Sequence, residues 1–312
     1  IDLGQLRTTL LAAKAWPIAL GVASVAIGFV LRSWRWHLML RHFSQKVQFR
    51  HSAAIFVSSF ALNNTLPLRA GDLARTFMYA KELDTPPATL AATLLIERLL
   101  DAATLLLIFF LGLWFMPAEK IPPIWMGYIH HAGEIFSVLA VLGVAVLVLL
   151  PKLAPPLLLR IERSQSRSPR VEKIKQLLLQ FARALGLLSA PGLVIQLVVL
   201  SLLAWGLEGG IFWAASLSLS IDLPSYAHLF ALATATLATL LPGPPGNLGT
   251  FDYFAVLGLS VYGANRTDAA SLALLAHLLV WLPVTLVGGI LILRRQGKNA
   301  LQQIHQLEEE HP

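Results

Sequence analysis

Apolar residues run through this chain in long, nearly uninterrupted blocks. Residues 16–40, 88–115, 135–150, 191–217 and 269–293 are such blocks, 16 to 28 residues long. A helix needs ~20 apolar residues to cross a ~30 Å hydrocarbon core. The block at 135–150 is the shortest, and Ala132 and Leu153 extend it at either end. Two further apolar stretches, 52–66 and 226–241, each stop at a proline, Pro67 and Pro242. At ~1.5 Å per residue they reach only ~23–24 Å, which predicts segments that enter the bilayer and turn back. The pattern therefore predicts an all-α polytopic membrane protein with five full spans plus two re-entrant helical hairpins.

Composition agrees. Hydrophobic residues make up 56% of the 312 and charged residues 13%, with a mean hydropathy of +0.67. A soluble domain carries roughly 25% charged residues, so this chain cannot cover a water-facing surface. That excludes a soluble enzyme and a nucleic-acid binder, despite the net charge of +7. No cysteine is present, so thiolate metal sites, disulfides and cysteine nucleophiles are excluded as well. Nothing calls for a cofactor: the glycine-rich stretch 243–249 lacks the Lys-Ser/Thr ending of a nucleotide loop, and His130, His131 and Glu134 lack a fourth metal ligand.

The distribution of lysine and arginine sets an orientation. Sixteen of them, from Arg32, Arg35, Arg41, Lys46 and Arg50 through residues 152–183 to Arg294, Arg295 and Lys298, fall on one side if the short segments are hairpins. Only Arg7, Lys14, Lys120 and Arg266 fall on the other. The basic side is read as cytoplasmic. Residues 1–150 then form a first half with a cytoplasmic-side hairpin at 51–82, and 191–293 a second half with an outer-side hairpin at 226–262. Between them, 151–190 is a basic linker. Its stretch 171–188 sets Val171, Ile174, Leu178 and Phe181 on one face, as in a helix lying in the headgroup layer; a solvated linker is the alternative. Residues 294–312 are a cytoplasmic tail. The first residue lies outside the cytoplasm in this arrangement, which predicts a further helix upstream. Trp16, Trp34, Trp36, Trp114 and Trp125 fall near the proposed interfaces, as belt residues do.

The two short segments continue alike. Leu66-Pro67, Gly71 and Leu73 recur at identical spacing as Leu241-Pro242, Gly246 and Leu248, with Asp72 matched by Asn247. Opposite entry of the two hairpins makes this an inverted-topology repeat, and transporters with such repeats bind substrate near the midplane where broken helices meet. A chance recurrence of common apolar words is the other reading.

Charges inside the apolar blocks mark the same region. One charge near the bilayer centre costs ~2.5–3.5 kcal/mol, yet the block at 88–115 carries Glu97, Arg98 and Asp101. Glu97 and Asp101 share a helix face, and Arg98 can pair with Asp101. The first hairpin adds Arg69, Asp72 and Arg75 after Asn63 and Asn64; the second half adds Glu208, Asn247 and Asp252. Arginine binds phosphate bidentately and keeps its charge when buried. Arg69, Arg75 and Arg98 are thus candidates to hold a phosphate, with Asp72, Glu97 and Asp101 orienting them or binding an amine, and Asn63, Asn64 and Asn247 lining the path. A neutralised network that only locks the fold remains the competing reading, and His277 reads as a hydrogen-bonded core residue.

The stretches from Leu66-Pro67 to Arg75, Glu97-Arg98-Leu99-Leu100-Asp101 and residues 242–252, together with Arg35-Trp36, resemble the flippase-like transmembrane domain of lysylphosphatidylglycerol synthases. Two departures stand out. Asn247 replaces a glycine of that family's second break, and Thr250 and Asp252 replace an apolar residue and a glutamate. Only a short tail follows residue 293, where the synthases carry a soluble catalytic domain. The resemblance implies a non-enzymatic lipid flippase or transporter in a bacterial or archaeal cytoplasmic membrane, with its C-terminus cytoplasmic. It would act on an anionic or aminoacylated phospholipid or a polyprenyl phosphate. The alternative is an intramembrane metal-dependent lipid-phosphate transferase: Gly71-Asp72-x-Ala74-Arg75 with Glu97-x-x-x-Asp101 resembles the metal-binding string of CDP-alcohol phosphotransferases, but without the aspartates expected before Gly71.

Overall fold

The computed structural model describes residues 2–115, 168–239 and 244–310, with side chains as far as Gln296 and scattered positions between 127 and 163. Part of the expected span at 135–150, Trp125 and residues 240–243 lie outside the described residues.

Helices α1 (Leu3–Leu11), α2 (Ala15–Phe43) and α3 (Phe49–Thr65) lead to a short α4 (Ala70–Leu73) that runs into a π turn at Ala74–Met78. Then follow α5 (Pro87–Trp114), α6 (Pro169–Leu185), α7 (Pro191–Leu219), α8 (Ser225–Ala238), α9 (Thr250–Val261) and α10 (Arg266–Glu310). The sequence reading missed α1, whose signal is Asp2: its carboxylate accepts the N–H groups of Gly4 and Gln5 at 2.8 and 3.1 Å and caps the helix. Among the described residues three helices are long and apolar enough to cross a membrane: α2, α7 and the 266–296 part of α10. α5 is comparable at 28 residues but carries Glu97, Arg98 and Asp101. α3 and α8 have 17 and 14 residues, and both end before a break in the chain. The residues read as a tail continue α10 as helix through Glu310.

α2 lies antiparallel along α7. Lys14 N–H donates to the Ser218 carbonyl and Ser218 Oγ to the Lys14 carbonyl, both at 2.9 Å, which pins the start of one to the end of the other. α3 packs on α10, and α8 packs on α5. Each of those crossings is close because a glycine permits it. A Cβ at Gly288 would lie 2.5 Å from Ala61 Cβ, and one at Gly112 would lie 2.6 Å from the Phe230 ring. At one end of the bundle Glu82 joins His51 of α3, at 2.8 Å, to Arg295 of α10. At the other, Tyr262 beyond α9 donates to the Gly112 carbonyl of α5 at 2.7 Å.

Three sequence expectations are corrected. Arg32 and Arg35, assigned to the cytoplasmic surface, are buried, because α2 continues to Phe43 and holds them two to three turns inside its end. Trp36 is buried under Arg75, whereas Trp16, Trp34 and Trp114 are exposed. The breaks also match in a different register. The helix restarts at Ala70 in one and Thr250 in the other, so the third helical residue is Asp72 in the first and Asp252 in the second. Asp72 therefore corresponds to Asp252 rather than Asn247; Gly71 is helical while Gly246 has φ +65°.

On α6 the face bearing Val171, Ile174 and Leu178 is exposed, while Leu179, Ala184 and Leu185 are buried and the helix packs on α5. This leaves Val171, Ile174 and Leu178 as an exposed apolar stripe on α6.

Candidate functional site

The first break is held in a strained shape. Leu68 and Arg69 both adopt left-handed backbone, φ +57° and +52°, which costs non-glycine residues of order 1–3 kcal/mol each. Surrounding contacts fix it. Asn63 clamps Asp72 twice, its Oδ1 accepting the Asp72 N–H at 3.1 Å and its Nδ2 donating to Oδ1 at 3.0 Å. The π turn that follows shifts register and turns Arg75 inward. Arg75 makes a two-pronged pair with Glu97, at 3.2 and 3.1 Å, and its guanidinium rests against the rings of Trp36 and Phe56, 4.9 and 5.0 Å from their centroids.

From there the charges run on. Arg98 reaches Asp72 at 3.2 Å and Glu97 at 3.4 Å. Asp101 accepts from Arg35 at 2.7 Å and from the Trp205 indole N–H at 3.1 Å. Arg32 pairs with Glu208 across the α2–α7 contact and lies 4.4 Å above the Trp205 ring. Arg69 is the loosest member, 3.8 Å from Asp72 with its side chain 48% exposed.

The second break carries left-handed residues at Gly246, Asn247 and Gly249. A side chain at 246 would drive its Cβ to 2.6 Å from Trp281 Nε1, so only glycine fits there. Trp281 in turn donates to the Asn64 carbonyl at 3.3 Å and ties the two breaks together, while Asn64 Nδ2 donates to Thr285 Oγ1 at 2.9 Å. Asp252 accepts the Gly249 N–H at 3.0 Å, and its other oxygen lies 2.9 Å from His277 Nδ1. His277 Nε2 lies 3.0 Å from the Gly246 carbonyl.

Between the breaks is a cavity of about 160 Å³, room for ~5 waters at ~30 Å³ each. Of the expected site residues, Asn63, Asn64, Arg69, Arg98, Asp101, Glu208 and Asn247 line it. Asp72, Arg75 and Glu97 stand behind that wall, buried against their partners, and Asp252 stands behind His277. Sequence reasoning missed Arg32, Trp205 and Trp281, which line the cavity, and read His277 as core. A signal for Arg32 was available: Glu208 lies mid-span and needs a cation at its own depth. Arg98 Nε and Thr236 Oγ1 have no partner among the described residues. On the side of the first break, α2, α5 and α7, five guanidiniums (Arg32, Arg35, Arg69, Arg75, Arg98) meet four carboxylates (Asp72, Glu97, Asp101, Glu208), which leaves one positive charge there; the fifth carboxylate, Asp252, is taken by His277 at the second break. Among the described residues no three His, Asp or Glu side chains are grouped to hold a metal ion.

Apolar helices around an arginine-rich internal cavity define a multi-pass helical membrane protein with a polar site between its broken segments. The chain belongs to the family of the lysylphosphatidylglycerol synthase TM region, whose model matches residues 1–288. It is similar to UPF0104 membrane protein MJ1078 of Methanocaldococcus jannaschii, 22% identical over 230 residues, which is 74% of this chain and 92% of that protein. Membership ties the chain to a membrane lipid-related function.

Proposed function

We propose that this protein is a lipid flippase that moves a phosphate-bearing lipid headgroup across the cytoplasmic membrane through the cavity between the two breaks, and that it is not an enzyme. Five spans and two re-entrant hairpins form two halves of inverted topology in this reading, with the C-terminus cytoplasmic. The pairing of α2 with α7, α3 with α10 and α8 with α5 supports it, as does the placement of His51–Glu82 and Tyr262 at opposite ends of the bundle.

The observation that carries the reading is the surplus guanidinium at the cavity. Arg69 is half exposed and weakly paired, on a strained turn that aims it at a wet pocket between the breaks. A phosphodiester brings one negative charge and offers two oxygens to an arginine fork. The headgroup would pass between Arg69 and Arg98 on one wall and Asn247 on the other while the acyl chains stay in lipid. Exposed Leu68, Phe77 and Met78 beside the first break offer those chains an apolar flank. The partners are therefore membrane lipids, an anionic or aminoacylated phospholipid or a polyprenyl phosphate.

In proteoliposomes containing phosphatidylglycerol with a fluorescent acyl chain, the parent should expose inner-leaflet probe to an external quencher. Arg69→Ala should slow this about tenfold, the equivalent of ~1.5 kcal/mol for a lost charge-assisted hydrogen bond, and Arg69→Lys should slow it less. No movement above protein-free vesicles in the parent, with Arg69→Ala indistinguishable from it, would end the reading.

A further inference from the structure

Both ring nitrogens of His277 face groups that accept hydrogen bonds. Nδ1 lies 2.9 Å from Asp252 Oδ1, and Nε2 lies 3.0 Å from the Gly246 carbonyl oxygen. A neutral imidazole carries one N–H, and neither a carboxylate nor a carbonyl can supply another. With Asp252 ionised, both contacts are hydrogen bonds only when His277 is an imidazolium. We propose that His277 and Asp252 form a proton-binding site that exchanges its proton with water in the central cavity, and that loss of this proton releases the second break from α10.

The surroundings suit that role. His277 and Gly246 line the cavity, so water reaches the site. The Phe251 ring, centred 4.6 Å away, covers the imidazole. Among the described residues no other charged group touches the ring. α2 and α7 contribute the mutually paired Arg32 and Glu208 to the same cavity, and α5 contributes Arg98 and Asp101. The first break adds Arg69, α3 adds the Asn63 and Asn64 amides, and α8 adds only the hydroxyls of Thr236 and Thr239. Asp252 is thus the partner that holds the charge, and its second oxygen is fixed by the Gly249 N–H.

The first half contains a counterpart that cannot exchange. There Arg98 on α5 pairs with Asp72, the third residue of the restarted helix; here His277 on α10 pairs with Asp252, also the third. A guanidinium keeps its proton, whereas an imidazolium can give one up. In the exchange step the N–H bond of the imidazolium breaks, the proton passes to a cavity water as hydronium, and the electron pair remains on the ring nitrogen. That lone pair then faces an acceptor, so the strap to Gly246 or to Asp252 opens. Use of this proton in transport rests on the flippase reading; the site itself does not.

Ring nitrogens labelled with ¹⁵N, in nanodiscs of phosphatidylglycerol and phosphatidylethanolamine and assigned by comparison with His277→Gln, test the site without a transport substrate. The parent should have both nitrogens of His277 protonated at the acidic end of a pH series and one at the alkaline end. Because the chain has no cysteine, Leu248→Cys and Leu282→Cys give an unambiguous spin-label pair across the strap. Their separation should lengthen over the same range. Asp252→Asn should make both readings independent of pH, since its amide can donate to Nδ1 while a neutral ring donates to Gly246. A parent ring with a single N–H throughout the series, or an Asp252→Asn protein that responds to pH like the parent, would overturn the proposal. Lipid movement absent while His277 titrates as stated removes the flippase reading and leaves the proton site standing.

Discussion

Glu97→Ala is expected to destabilise the protein by about 3 kcal/mol, because it leaves the buried Arg75 guanidinium with only Asp72, 3.8 Å away, as a carboxylate partner. Arg75 is 2% exposed and Glu97 1%, and the Arg75 head rests against the rings of Trp36 and Phe56. Removing the carboxylate takes away both prongs of the pair and part of the compensation for Arg98, which lies 3.4 Å from the same oxygen. Water cannot readily replace it, since the π turn and α5 close over the pair. The loss should appear as a lower midpoint in thermal unfolding of the detergent-solubilised protein. Combining Glu97→Leu with Arg75→Met should recover most of it, because a buried ion pair stabilises little relative to apolar groups of similar volume. A double-mutant cycle then gives the coupling between the two residues. Glu97→Ala melting with the parent would mean that the pair is hydrated and belongs to the site rather than to its wall.

That division between wall and site is what the sequence could not supply. Charges within an apolar block announce that Glu97, Arg98 and Asp101 face protein or water, because lipid would not tolerate them. The prolines at 67 and 242 announce breaks, and the helices that stop near them, α3 and α8, are where the pattern put them. Sequence does not say which charge is consumed by a neighbour. Arg75 and Arg69 have the same side chain, but one is locked into a two-pronged pair and the other is half free. Arg32 and Arg35 fail for a related reason. An arginine near the end of an apolar run reads as a stop, and only the helix continuing to Phe43 shows that both lie within the bundle. Their depth is set by partners on another helix, Glu208 for Arg32 and Asp101 for Arg35, contacts separated by 176 and 66 positions. The repeat shows the same limit. Matching letters aligned Gly71 with Gly246, while the backbone aligns helix restarts, and the acids that begin those helices are Asp72 and Asp252. His277 reads as a core histidine by its apolar neighbours, and nothing local announces that the chain turns a carbonyl toward its second nitrogen.

Gly71→Ala should be comparably damaging by a route that involves no charge. A Cβ built there lies 1.7 Å from the carbonyl oxygen of Ser59 and 2.8 Å from Asn63 Oδ1. The first obstacle is backbone in the middle of α3, so no rotamer change relieves it; α4 must move away from α3. That movement pulls Asp72 from the Asn63 clamp and unseats the turn that holds Leu68 and Arg69 in left-handed backbone. Overpacking ordinarily costs ~1–3 kcal/mol. With backbone as the obstacle and a strained turn depending on it, the expected loss is at the upper end of that range, about 3 kcal/mol. Gly206→Ala on α7 is the matched control: nothing lies within 4 Å of its Cβ, and a helix-interior Gly→Ala change should be neutral or stabilise by roughly 0.5–1 kcal/mol. Thermal unfolding of the two proteins side by side separates the site-specific clash from any general effect of adding a methyl group. Lipid movement in vesicles then adds a second reading, with Gly71→Ala falling at least as far as Arg69→Ala because it displaces the arginine and its clamp together. Equal stability of the two alanine proteins would mean that α4 does not rest on α3, and the geometry assigned to Arg69 would have to be abandoned with it.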